Sequence, residues 1–365
     1  MDEEAIDITG KKQQQQPPIK KNKSMKLILL LLNCSLVCFG QISGPLLLRL
    51  YYMHGGKRIW LTSWLQTAAF PLLLIPPLLS RARDRAHDQS QSTNQAIASN
   101  FLLSPKLLIA SVFMGLIAGL DSYLFGLGLR YLPVSTSSIL TSTQLAFTAV
   151  FSLLLVKQKF TPFSVNSVVL MTLGAVILAF HTNSDRPNGV SNGEYFLGFF
   201  MTLGAAALLG FMLPLVELSY SKACKAITYD LVLQVQFLVS MVATIFCTIG
   251  MIINKDFQMT REAREYELGE GKYYMVIALA AIGMQCLLVG NLGVVFCSTA
   301  LFSGVLLALL LPLQQIFAVI FFHERFNAEK GMSLALSLWG FVSYFYGEYN
   351  LIKKQKQAPP MTQIP

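Results

Sequence analysis

Residues 107–129 read LLIASVFMGLIAGLDSYLFGLGL, an apolar run that a single charged side chain, Asp121, interrupts. A helix needs about twenty such residues to cross the hydrocarbon core of a bilayer, which is about 30 Å thick. A helix on the surface of a soluble protein would instead show separate apolar and polar faces. The stretch therefore predicts a membrane-spanning helix with one ionisable group at its middle.

Similar apolar runs follow one another along the chain, so we predict an all-α integral membrane fold with ten transmembrane helices. The polar connections Ser80–Ser104, Thr182–Glu194 and Asn254–Lys272 are longer than the others and predict mobile backbone. The predicted spans are Met25–Leu48, Ile59–Leu79, Leu107–Leu129, Ser135–Val156, Phe163–His181, Tyr195–Leu218, Leu231–Ile253, Tyr273–Phe296, Leu301–Phe322 and Gly331–Tyr349.

The composition excludes a soluble domain. Of the 365 residues, 54% are hydrophobic and 13% charged, and the mean hydropathy is +0.54, whereas a soluble domain carries about 25% charged residues. The net charge of +9 lies in tails and loops, which is typical of membrane topology and predicts no nucleic-acid partner. None of the six cysteines pairs with a nearby His as a metal ligand would, so the sequence predicts no metal and no other cofactor.

The charges also predict how the chain is arranged. The polar residues 1–24 predict a disordered cytoplasmic tail, followed by a first five-helix repeat over 25–181 and a loop over 182–194. A second five-helix repeat over 195–350 and a cytoplasmic tail over 351–365 complete the chain. More of the 28 Lys and Arg residues lie on the side of the termini than on the other side, which predicts that both termini are cytoplasmic.

A residue pattern that recurs within the sequence supports the division into two repeats. Pro45 and Tyr51 recur as Pro214 and Tyr220, and a second region recurs at nearly the same offset. Repeats with an odd number of spans have opposite topologies, and such inverted repeats are typical of transporters, whose halves rock around a central site. The second set of matches pairs Phe151, Phe160 and Gly174 with Phe317, Phe326 and Gly340.

Several segments closely resemble the plant purine permease family of the drug/metabolite transporter superfamily, over about Met25 to Tyr349. The resemblance implies a ten-helix inverted-repeat fold and uptake of adenine-type purines, cytokinins or related heterocycles, usually with protons. The segments are SGPLLLRLYY (43–52), GGKRIW (55–60), YLPVSTSS (131–138), QKFTPFSVNSVVL (158–170), REAREYELG (261–269) and AEKGMSLALSLWGFVSYFYGEY (328–349).

Two carboxylates are candidate proton carriers. An ionised Asp121 at the middle of a span costs roughly 2.5–3.5 kcal/mol, so intramembrane carboxylates are retained mainly for function. Glu217 follows Pro214 near the end of the sixth span and is a second candidate, with a helix-end role as the alternative. At Gln66, Gln234 and Gln315 some members of the family carry Glu, and an amide takes up no proton. The resemblance therefore leaves proton coupling to Asp121, or leaves it absent.

Amide, hydroxyl and aromatic side chains within the spans are candidate substrate ligands, because amides can pair with the edge of a flat heterocycle and aromatic rings can stack on its face. The alternative for each is a hydrogen bond between helices. The glycine pair Gly115 and Gly119 predicts close packing between helices, because glycines let two backbones approach each other. The candidates are Gln41, Trp64, Gln66, Asp121, Tyr123, Thr141, Gln144, Gln285, Asn291, Gln314 and Gln315.

The sequence thus predicts a secondary transporter in a plant plasma membrane that moves neutral heterocycles together with protons. No Lys or Arg lies at the middle of a predicted span, so a phosphate-bearing substrate has no evident clamp. A facilitator for another heterocycle, such as an alkaloid or a vitamin, is the alternative within transport. A membrane-embedded enzyme is disfavoured, because no Ser, His and Asp set converges at membrane depth. His323, Glu324 and Arg325 predict a surface charge cluster.

Overall fold

The computed structural model describes residues 23–68, 71, 104–157, 162–180, 186–187, 189–223, 229–297, 300–324 and 326–357. The predicted tail before residue 23 and the end of the second predicted span, beyond Ala68, lie outside this part apart from residue 71. The described residues contain helices and no strand. The helices are α1 (Lys23–Met53), α2 (Ile59–Thr67), α3 (Pro105–Tyr131), α4 (Val134–Ser142), α5 (Gln144–Val156), α6 (Pro162–Phe180), α7 (Asn192–Ala223), α8 (Tyr229–Ile253), α9 (Met259–Glu265), α10 (Glu270–Cys297), α11 (Ala300–Phe322) and α12 (Ala328–Gln357).

Six stretches of the described chain are helical, long and apolar enough to cross a membrane, which confirms an all-helical multi-pass membrane protein. They lie at Leu27–Met53, Pro105–Tyr131, Val134–Val156, Asn192–Ser219, Leu231–Ile253 and Glu270–Asn291. Shorter apolar helices occur at Pro162–Ile177 and Leu309–Phe322. The arrangement of ten spans in two repeats stays a prediction. Helix α12 continues to Gln357, so the first residues of the predicted cytoplasmic tail over 351–365 are helical.

Large apolar side chains cover the outer surface of the helix bundle. Leu154, Phe200 and Trp339 are each more than 60% exposed and belong to three different helices. Water would penalise such surfaces, whereas hydrocarbon does not, because lipid tails are as apolar as these side chains. The exposed faces of α5, α7 and α12 are therefore suited to contact lipid.

Glycines let helices approach closely inside the bundle. A methyl group added at Gly40 of α1 would overlap the backbone of Gly283 and Leu287 in α10. On the other side of the bundle, Gly115 lies against Val242 of α8. Gly119 packs on the Phe246 ring of the same helix, which confirms the close packing predicted for the Gly115–Gly119 pair.

The predicted span Ser135–Val156 is interrupted at Thr143, where α4 ends and α5 begins. The hydroxyl of Ser142 donates to the Ile139 carbonyl at 2.6 Å, and that of Thr143 donates to the Leu140 carbonyl at 2.6 Å. Successive hydroxyls that bond the preceding turn compete with the helical backbone pattern and tighten it. The span is therefore two short helices that join at a polar turn.

We expect Gly40→Ala to destabilise the protein by about 1–3 kcal/mol, because the methyl group has no space between α1 and α10. Gly204→Ala in α7 is the matched control. The nearest atom to its added methyl group would be a Leu124 methyl carbon at 3.5 Å, and alanine is the better helix former. Thermal unfolding in detergent measures both variants. Equal unfolding midpoints for the two variants would contradict the close packing of α1 on α10 at Gly40.

Candidate functional site

Two glutamines connect α1 with α11 inside the bundle. The Gln41 amide nitrogen donates to the side-chain oxygen of Gln314 at 3.2 Å. Gln314 is 3% exposed, and the adjacent Gln315 is 1% exposed. Amides buried this deeply in a membrane protein need partners within the protein or from a ligand.

A second set of hydrogen bonds connects α10, α2 and α3. The Gln285 amide nitrogen donates to the Leu65 carbonyl of α2 at 3.2 Å. The Gln66 amide nitrogen lies 3.4 Å from the Ser122 carbonyl of α3, to which it donates. Asp121 directly precedes Ser122, so the intramembrane carboxylate lies at about the same depth as this set.

Close packing of α1 on α10 brings the two sets to a similar depth. Gly44 lies against the Met284 side chain, and the hydroxyl of Ser43 lies near Gly283. Gln41 and Gln285 are thus within one turn of residues that touch across this seam. We call the residues Gln41, Gln66, Asp121, Gln285, Gln314 and Gln315 the polar layer.

Three oxygen atoms of the polar layer are buried and have no hydrogen-bond partner within the described part of the protein. They are Oδ1 of Asp121, Oε1 of Gln285 and Oε1 of Gln315. A buried polar atom without a partner costs about 1–3 kcal/mol, which a bound donor would recover. Several amide donors of the layer are already engaged by protein oxygens. The layer can therefore accept N–H donors of a ligand, and Asp121 can also take up a proton.

Aromatic rings pack together where the start of α2 meets α3 and α8. The ring of Tyr123 stacks on that of Trp60 with centroids 4.3 Å apart and an interplanar angle of 29°. Trp60 also meets Phe246 edge to face and lies against Gly250 of α8. The sequence did not predict this packing. Trp60 lies near the end of a predicted span, where a tryptophan commonly anchors the helix at the membrane–water interface. Trp64, one turn further along α2, is half-buried.

The candidate ligands Thr141 and Gln144 of the fourth predicted span lie on either side of the turn at Thr143. Thr141 donates its hydroxyl to the Ser137 carbonyl at 2.8 Å, and the hydroxyl of Ser137 is buried without a partner among the described residues. Gln144 is half-buried at the start of α5, where its backbone lies against Gly210 of α7.

Two predicted site residues lie apart from the polar layer. Asn291 follows Gln285 by six positions in α10, about 9 Å along the helix. Glu217 is exposed. Gly204 of the same helix, α7, lies against Leu124, which is three residues from Asp121 in α3. Glu217 follows Gly204 by 13 positions, about 20 Å along the helix. The structure therefore does not bring Glu217 to Asp121.

The predicted surface cluster at the end of α11 is wrong for Glu324. Its carboxylate accepts the backbone N–H groups of Val134 at 2.9 Å and Ser135 at 3.1 Å, and it also accepts the Ser135 hydroxyl. Lys330, which is 2% exposed, donates to the same hydroxyl oxygen at 2.7 Å. A carboxylate stabilises the positive end of the helix dipole. Glu324 thus caps α4 from another part of the chain.

Other proteins are similar to this chain in sequence or in fold. A family model described as purine nucleobase transmembrane transport matches residues 28–355. Purine permease 3 of Arabidopsis thaliana is 48% identical over 322 residues, which cover 88% of this chain and 90% of that protein. Purine permease 2 of the same plant is 46% identical over 354 residues, which cover 93% and 98%. A solved structure titled "Crystal structure of protein" superposes with a TM-score of 0.52 over 92% of this chain and 99% of that one; at 13% identity, the likeness concerns the fold alone.

We expect Glu324→Ala to lower the free energy of unfolding by about 1–2 kcal/mol, because α4 loses its cap. Glu265→Ala serves as the control, since Glu265 is 67% exposed and pairs only with its exposed neighbour Arg261 within the helix. Thermal unfolding in detergent compares the two variants. A Glu324→Ala protein as stable as the control would show that the cap contributes nothing.

Proposed function

Because the chain belongs to the purine permease family, we propose that it is a secondary transporter that moves purine nucleobases, cytokinins or similar neutral heterocycles by alternating access, coupled to protons. Membership of this family makes it a transporter and not an enzyme. Its multi-pass helical fold agrees with that assignment. The substrate class and the coupling are the parts that need testing.

The observation that carries the proposal is the polar layer. Its unpaired oxygens belong to apolar helices, and those of Asp121 and Gln285 lie in helices long enough to cross a membrane, where water cannot satisfy them. A purine offers ring and exocyclic N–H donors along one edge and a flat face for aromatic contact. Gln285 and Gln315 would then accept from the substrate edge, with Trp64 and Tyr123 close to the same depth.

The pairing of helices supports an inverted repeat of five spans. If α1 and α7 begin corresponding repeats, the contact of α1 with α10 corresponds to that of α7 with α3. Likewise, the contact of α8 with α3 corresponds to that of α2 with α10, and that of α5 with α7 corresponds to that of α11 with α1. The pairs α6–α12, α2–α8 and α4–α11 correspond to themselves. Two such halves can rock about the polar layer between them.

We assign the proton to Asp121. Gln66 and Gln315 of the polar layer are amides, so neither can take up a proton. Oδ1 of Asp121 has no partner in the described structure, which leaves the carboxylate free to exchange a proton as it meets the aqueous phase on either side. Glu217 is the second candidate, and its exposed position makes it the weaker one.

We also propose that the protein lies in the plasma membrane with both termini in the cytoplasm. The excess of Lys and Arg on the side of the termini supports cytoplasmic termini. Uptake driven by an inward proton gradient suits a plasma membrane, where such a gradient exists. Membrane fractionation and a tag on either terminus would test both proposals.

We expect purified protein in proteoliposomes to take up labelled adenine and a cytokinin, and an inward proton gradient to increase the rate. Asp121→Asn keeps the size and one acceptor oxygen but takes up no proton, so it should bind substrate while uptake no longer responds to the gradient. Glu217→Gln is the matched carboxylate-to-amide variant and should retain the response.

The outcomes separate the alternatives. Saturable uptake that ignores the gradient in the wild type would identify a facilitator and contradict proton coupling. If only Glu217→Gln abolishes the response of uptake to the gradient, then Glu217 and not Asp121 carries the proton. Failure of folded protein to take up either compound would contradict the proposed substrate class and favour another heterocycle.

A further inference from the structure

The short helix α9 is packed into the bundle, although the polar composition of Asn254–Lys272 predicts mobile backbone. Ala263 is fully buried, and Tyr266 is 4% exposed, in one cluster with Tyr51 and Tyr273. The Tyr266 hydroxyl donates to the Leu50 carbonyl at 3.3 Å. The connection between α8 and α10 therefore lies on the end of α1.

Glu262 is the centre of this contact and is 8% exposed. Its carboxylate accepts the Tyr51 hydroxyl at 2.5 Å and the Lys57 backbone N–H at 3.1 Å, and it forms an ion pair with Arg58. All three partners belong to the end of α1 or to the connection between α1 and α2. Glu262 belongs to the predicted second repeat, so these bonds join the two halves.

Arg58 extends the contact to the beginning of α9. Its guanidinium donates to the Lys255 carbonyl at 3.0 Å and to the Gln258 carbonyl at 2.7 Å, and it lies 3.9 Å from the Asp256 carboxylate. Arg58 also occupies the N-cap position of α2, where its own side chain caps nothing. Each of its bonds therefore connects the start of α2 with the second half.

Asp256 lies beside the start of α2, with its carboxylate 3.9 Å from the guanidinium of the N-cap residue Arg58. Burial raises the pKa of the Asp256 carboxyl above its ordinary value, against the opposing influence of Arg58 and of the backbone N–H groups of Trp60 and Leu61. Helix α2 thus begins next to a carboxylate from the second half. We call Tyr51, Arg58, Asp256 and Glu262 the α9 latch.

The ends of α1 and α3 and the starts of α2 and α4 share one face of the bundle. Arg49 near the end of α1 donates to the carbonyls of Leu129 and Arg130 at the end of α3, and Arg130 donates to the Lys57 carbonyl. The α9 latch and the Glu324 cap therefore close the same face, which lies opposite the termini if the number of spans is even. Helix α2 leads from the latch to Trp64 and Gln66.

Two residues with positive φ flank α9. Lys255 before α9 has a φ of 57°, and Gly269 after it has a φ of 90°. Both residues lie in the left-handed region, where the chain changes direction abruptly. Rotation at two such positions can move α9 as a unit without altering α8 or α10, as hinges at the ends of elements do.

We propose that the α9 latch is the gate of this face: its bonds form when the face is closed, and their release frees α2 to open a path to the polar layer. A buried ion pair is suited to this task, because its Coulomb attraction is nearly offset by the cost of desolvation. Both charges regain water when the latch opens, so the two states differ little in free energy. An apolar contact of equal area would favour the closed state more strongly.

A cysteine at Gln66 reports whether the path is open. In a variant without the six native cysteines, Gln66→Cys is treated with a membrane-impermeant thiol reagent on the side opposite the termini. We expect Glu262→Gln, which keeps the shape but removes the charge, to raise the labelling rate about tenfold or more. That change corresponds to the loss of one charge-assisted hydrogen bond. Tyr51→Phe should raise it by a smaller factor.

Glu265→Gln is the matched control, because it neutralises an exposed carboxylate on the same short helix and should leave the rate unchanged. The double variant with Arg58→Glu and Glu262→Arg exchanges the two charges of the ion pair. It should return the labelling rate toward that of the Gln66→Cys protein with an unaltered latch. If Glu262→Gln does not fold, Tyr51→Phe takes its place. Equal labelling rates in the folded latch variants and the control would overturn the proposal and make the cluster a permanent clamp. The measurement uses no substrate, so its failure would leave the proposed transport activity untouched.

Discussion

Hydrocarbon offers no hydrogen bonds, and this constraint underlies the whole structure. Each backbone amide inside the bilayer must be satisfied within the chain, which restricts the spans to helices and makes the helix ends critical. The ends are satisfied here by side chains from distant parts of the sequence. Arg49 bonds the last carbonyls of α3, and Glu324 bonds the first N–H groups of α4. The oxygens of the polar layer that have no partner among the described residues are informative because the bilayer supplies none.

Close packing of the helices brings the residues of the polar layer to one depth. Glycines at the contact of α1 with α10 remove side-chain volume between the helices, so that polar groups on neighbouring faces come to the same depth. Packing in a bilayer relies on such close approach, since lipid provides no hydrophobic driving force between helices. The seam therefore stabilises the fold and also positions Gln41 and Gln285. A rigid seam of this kind is a suitable axis for a rocking motion.

The latch and the polar layer are mechanically connected through α2. This short helix begins after Arg58, its N-cap residue and a member of the latch, contains Trp64 and Gln66, and packs on α3, α8 and α10. Movement of its first turn would change the hydrogen bonds of Gln66 with α3 and of Leu65 with Gln285. Opening one face and altering the substrate site would then be parts of one motion. Alternating access requires such coupling, because access and occupancy have to be linked.

The sequence by itself determined the membrane setting, the helical fold and the family, because apolar length and local motifs depend only on neighbouring residues. It also made Asp121 and all five amides of the polar layer candidates, since a polar group in an apolar run is conspicuous. It could not show that Gln41 meets Gln314, that Trp60 covers Tyr123, or that Glu217 lies far from Asp121. Nor could it assign Glu262 and Glu324, which look like ordinary loop charges until their partners are known. Those relations join residues that are distant in the chain, and only the packing of one helix on another decides them.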